Sequence, residues 1–162
     1  MGNAVAIIIG QLLGAGKLEE AKDSDRKLIF FSVISCVGTG LLLAASAPFF
    51  PMFYNTSDYV RSLATGFILV AAVGMPLYSC TNATYFTLRS GGKTVITFLF
   101  DSGFVWALSI PVAFALSRYT ALPIIPLYLL CQSLEIIKCT IGLVLVKKGV
   151  WINNLVAVSE DD

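Results

Sequence analysis

Four stretches of this chain, Leu28 to Ala47, Val60 to Leu88, Val95 to Ser117 and Pro123 to Val146, are long, apolar and nearly free of charge. An α-helix rises ~1.5 Å per residue, so about 20 apolar residues cross the ~30 Å hydrocarbon core of a bilayer. A segment in hydrocarbon must also satisfy its backbone polar groups internally, which leaves the helix as the natural conformation for each run. With 57% hydrophobic residues, 13% charged residues and a mean hydropathy of +0.83, too little polar sequence remains between the runs for a soluble domain. The expectation is an all-α polytopic membrane protein with four full transmembrane helices. Pro48 and Pro51 follow the first run and Pro123 opens the last, where proline stops or starts a helix without strain.

A fifth apolar run, Gly2 to Leu13, would cover only about 18 Å as a helix and cannot span alone. A signal peptide would need a basic segment before it, which is missing, and Gly14-Ala15-Gly16 leads straight into a charged stretch. The reading is a truncated N-terminal helix, with residues 1–156 as one incomplete domain. Residues 157–162 turn polar and acidic without apolar periodicity and are read as a disordered tail.

Lysine and arginine fix the expected orientation, because short loops rich in them stay on the cytoplasmic side. Lys17, Lys22, Arg26, Lys27, Arg89, Lys93, Lys147 and Lys148 all fall at one end of the bundle, whereas only Arg61 and Arg118 fall at the other. The C-terminus is therefore expected in the cytoplasm and the chain in a plasma or inner membrane. A net charge of +1 leaves no basic excess for nucleic acid. The absence of histidine removes the commonest metal ligand and the usual acid/base group, so neither enzyme chemistry nor a metal site is expected. Cys36, Cys80, Cys131 and Cys139 lie far apart within apolar runs and read as small packing residues.

Charges at bilayer depth cost ~2.5–3.5 kcal/mol each, which singles out Asp101, Glu135 and Lys138. Counting inward from the basic end puts Asp101 about 9 Å deep and Lys138 about 12 Å deep on antiparallel neighbours. Glu135 stands three residues from Lys138, so the three are expected to form one cluster, either a structural charge pair or an ion relay. Pro76 and Pro111 lie within helices and are expected to bend them. Tyr78, Thr81, Asn82 and Tyr85 recur at helical spacing as a polar stripe, which either joins helices or lines a wet cavity. The two tyrosines would suit organic cations through cation–π contact. Gly10-x-x-x-Gly14 and Gly38-Thr39-Gly40 permit close helix approach but are common in membrane helices. The sequons Asn55-Thr56-Ser57 and Asn82-Ala83-Thr84 carry little weight, the second lying inside a helix.

Several motifs occur in a familiar order: Gly10-Gln-Leu-Leu-Gly-Ala-Gly16 before a charged stretch, Leu88-Arg-Ser-Gly-Gly-Lys-Thr94, Trp106 with Pro111, and Gly149-Val-Trp151. In this order the chain resembles the multidrug and toxic compound extrusion (MATE) family of efflux transporters. The resemblance implies part of a six-helix lobe, here the C-terminal one. It also implies export of small organic cations by alternating access, with sodium or proton as coupling ion and no other cofactor. The implied partners are the lipid bilayer and a missing N-terminal lobe, without which this chain would be inactive. Some branches carry an acidic cation site about a dozen residues before the loop arginine; the corresponding stretch here, Leu77 to Cys80, has Tyr78 and no carboxylate. A lipid-linked oligosaccharide flippase of the same superfamily would share the helix pattern, and a non-transporting membrane scaffold is the third reading.

Overall fold

A computed structural model describes residues 2–152, and those residues form helices with no strand among them. The elements are α1 (Gly2–Gly14), α2 (Leu18–Ser46), a short 3-10 turn (Phe50–Phe53), α3 (Asp58–Ser90), α4 (Thr94–Tyr119) and α5 (Ile124–Lys147). Helices α2 to α5 are long and apolar enough to cross a membrane; α1, with 13 residues, is not. The expected tail 157–162 lies outside the described residues.

Helix α2 begins at Leu18 rather than at the apolar boundary Leu28, so the charged stretch is its first turns and not a loop. Pairs one helical turn apart hold that extension: Lys22 Nζ lies 2.6 Å from Glu19 Oε1, and Lys27 Nζ lies 2.5 Å from Asp23 Oδ2. Glu19 and Glu20 also face the positive end of the helix dipole in the first turn.

Helix α3 is the hub, packed by α1, α2 and α5. Against α2 it runs antiparallel: Gly40 meets Ala72, Ser32 meets Ser79 and Asp25 meets Thr87. Against α5 it runs parallel, with Gly66 opposite Ile125, Gly74 opposite Gln132 and Gly142 opposite Thr84. The chain returns between these two parallel helices through α4, which packs antiparallel to α5.

The two interior prolines are accommodated differently. Helix α3 continues unbroken through Pro76. In α4, Pro111 directly follows two widened π-type segments, Leu99–Gly103 and Val105–Ser109. A proline ring crowds the carbonyl four residues earlier and removes a hydrogen bond, and wider turns just before it absorb both effects.

The tightest core lies at the basic end, where Val5, Ile9 and Leu13 of α1 pack with Ala21, Ala83, Leu88, Phe100 and Trp151. Trp151 is 1% exposed and donates from Nε1 to the Val146 carbonyl at 3.0 Å. Its backbone lies so close to Gly91, in the turn after α3, that a side chain there would overlap the Trp151 carbonyl.

Candidate functional site

Parallel packing of α3 and α5 brings the polar residues of both helices into one seam. The Tyr78 hydroxyl and Gln132 Oε1 are hydrogen-bonded across it, and Gln132 Nε2 donates to the Tyr128 hydroxyl at 3.2 Å. Tyr128 in turn packs edge-on against Phe67, with ring centroids 5.1 Å apart. Glu135, one turn beyond Gln132, bears electrostatically on Tyr78. Two polar atoms in this region are buried with no hydrogen-bond partner, Glu135 Oε2 and Thr81 Oγ1. Thr81 is 6% exposed, whereas Tyr78 is 41% exposed, so the seam is closed at its floor and open beside the tyrosine ring.

The expected stripe divides along α3. Tyr78 faces α5 through Gln132, while Asn82 is exposed on the side of α1, next to Gly2. Tyr85 is half-buried, stacks edge-on with Phe86 at 5.3 Å and joins the core of the basic end. Tyr78 therefore belongs to the seam with α5 and Asn82 to the α1 side of α3, with Thr81 buried between them in sequence, and Tyr85 serves packing.

The expected three-residue charge cluster also divides. Lys138 Nζ donates to Asp101 Oδ1 at 2.6 Å and lies 5.7 Å from the Phe100 ring centroid. Glu135 takes no part in that pair and lies within electrostatic reach of Tyr78 across the seam. A spacing of three on a helix leaves the two side chains about 60° apart around the axis, enough for one to meet α4 and the other α3. An aromatic face with a neighbouring carboxylate is the chemistry that attracts an organic cation.

Three features of the site are absent from the sequence reading. Gln132 and Tyr128, which position Tyr78, follow the same helical spacing as Glu135 and could have been found from it. Ser32 and Ser79 share a hydrogen bond of 2.7 Å between α2 and α3, an ordinary helix-joining contact. Asp25 is 2% exposed, with Oδ1 2.5 Å from the Thr87 hydroxyl. Nothing distinguishes Asp25 in sequence from the exposed charges around it.

No curated protein and no solved structure matches the chain. A family model described as MatE does match, over residues 1–115, spanning α1 to most of α4 and leaving Gln132, Glu135 and Lys138 beyond the matched stretch. With four helices able to cross a bilayer and the family model covering most of its length, this chain is a multi-pass membrane protein that belongs to the MatE family of transporters.

Proposed function

We propose that this chain forms part of an exporter of small organic cations, driven by sodium or proton entry through alternating access. The observation that carries this reading is the buried and unpartnered Glu135 Oε2 on the helix that packs against the half-exposed Tyr78. A buried carboxylate oxygen without a donor is costly unless a cation or proton occupies it, and an aromatic face next to it favours a flat organic cation. The face of α3 that carries Tyr78 would then be one wall of a cavity completed by a second six-helix lobe. The lysine-rich end, with Lys147 and Lys148, faces the cytoplasm of a plasma or inner membrane.

Cells expressing the chain joined to a matching lobe should accumulate less ethidium than controls, and collapse of the ion gradient should abolish the difference. Glu135→Gln should abolish it as well while leaving membrane insertion intact. Accumulation that ignores the gradient, or a fully active Glu135→Gln, would rule the reading out.

A further inference from the structure

At the basic end, a cavity of about 750 Å³ is lined by residues of α2 and α5, with Cys80 of α3 among them. Its wall is divided by chemistry. Toward the helix ends stand four cations, Lys22 and Arg26 of α2 with Lys147 at the end of α5 and Lys148 just after it. Deeper along the same two helices the lining is apolar, with Ile29 and Val33 on one side and Leu143 and Val146 on the other. Lys22 is paired with Glu19, but among the described residues no ion pair links Arg26, Lys147 or Lys148 to a carboxylate. The one acidic lining residue, Asp25, has its Oδ1 against the Thr87 hydroxyl.

We propose that this cavity binds an anionic phospholipid from the adjacent leaflet, with the phosphate among Arg26, Lys147 and Lys148 and an acyl chain along Ile29, Val33 and Leu143. Charge complementarity selects the occupant. A free phosphate would use the cations and leave the apolar wall bare, and an organic cation would meet a rim of its own sign. A neutral phospholipid would fit the wall but gain little from the cations. The Arg26 guanidinium can hold two phosphate oxygens at once, and the lysines add point charges beside it. Basic pockets between helices at the cytoplasmic surface have the charge and position that acidic headgroups require. The cavity is also well above the size of a hydrated inorganic ion and within the range of organic ligand sites. This site stands independently of the proposed cation site at Tyr78.

The test uses the full chain, purified in mild detergent and exposed to phosphatidylglycerol, to phosphatidylcholine with the same acyl chains, or to inorganic phosphate. Native mass spectrometry should show phosphatidylglycerol retained, and thermal unfolding should shift upward with that lipid alone. Arg26→Gln with Lys147→Gln and Lys148→Gln should weaken its retention on the order of a hundredfold. Val33→Trp, which fills the apolar part and leaves every charge in place, should also displace the lipid; it decides the question should the triple variant fail to fold. Lys17→Gln with Lys27→Gln, at two exposed lysines outside the cavity, should leave retention unchanged. Equal retention of both lipids, equal stabilisation by phosphate, indifference to Val33→Trp, or an equal loss in the Lys17 and Lys27 variant would each overturn the proposal. So would a wild-type protein that binds no lipid until Glu160, Asp161 and Asp162 are neutralised, since the chain's own acidic residues would then be the occupant.

Discussion

Lys138 and Asp101 are joined at 2.6 Å but wrapped unequally, with 8% of the lysine side chain exposed against 50% of the aspartate's. The lysine is therefore the partner that depends on the pair. Asp101→Ala should leave a buried, uncompensated ammonium and destabilise the bundle by about 3 kcal/mol. Removing both charges, as Asp101→Leu with Lys138→Met, should restore most of that loss. Unfolding in mixed detergent micelles, followed by circular dichroism, reads both variants; a double variant no more stable than the single one would contradict the structural role.

Asp25 poses the same question between α2 and α3, with a hydroxyl in place of a cation. Thr87→Val keeps the shape and removes the donor, which should cost about 1–3 kcal/mol. Asp25→Asn should cost less, because the amide can still accept from Thr87 and is cheaper to bury. Amide hydrogen exchange near Thr87 would rise in the first variant and stay close to wild type in the second; the reverse order would mean the carboxylate has another partner.

Close packing of α3 on α5 uses small residues at several levels, of which Gly142 also meets α4. A β-carbon at Gly142 would come within 2.6 Å of Thr84 Oγ1 and 2.9 Å of the Phe100 ring. Gly142→Val should thus push α5 away from both α3 and α4 and cost about 1–3 kcal/mol. Amide hydrogen exchange of α3 around Thr84 should run faster in this variant. An unchanged rate would show that the seam yields without separating.

The proposed cation site is tested by separating the roles of the Tyr78 ring and hydroxyl. Tyr78→Ala should weaken ethidium binding, followed by fluorescence polarisation, by about 1 kcal/mol or roughly fivefold. Tyr78→Phe keeps the ring, loses only the bond to Gln132, and should bind within twofold or so of wild type. Equal losses in the two variants would assign the effect to the hydroxyl and remove the cation–π reading.

The spanning helices were legible because bilayer thickness imposes a length on apolar runs, and no tertiary contact is needed to see it. The true start of α2 was not, since Leu18 to Lys27 is helical through pairs such as Lys22–Glu19, a local effect that an apolar count misses. Depth counting placed Asp101 and Lys138 at one level because antiparallel neighbours share a ruler. It gave no rotation about the helix axis, so it could not separate Glu135 from Lys138 or show that Gln132 supports Tyr78. The parallel pairing of α3 with α5 was hidden for a similar reason, because helix order along a chain does not dictate which helices touch.

That pairing imposes an order on biogenesis. Helix α3 leaves the ribosome well before α5, and its Thr81 and Tyr78 face has no partner until α5 arrives. Asp101 on α4 is neutralised only by Lys138 of α5, so α4 inserted without α5 would carry a bare carboxylate at a cost of ~2.5–3.5 kcal/mol. Helices α4 and α5 are joined by a short link between Tyr119 and Ile124, so the cheapest route is for both to leave the translocon together as a hairpin with Lys138 already against Asp101. A chain ending after Tyr119 should then integrate α4 less completely than a chain that carries Lys138.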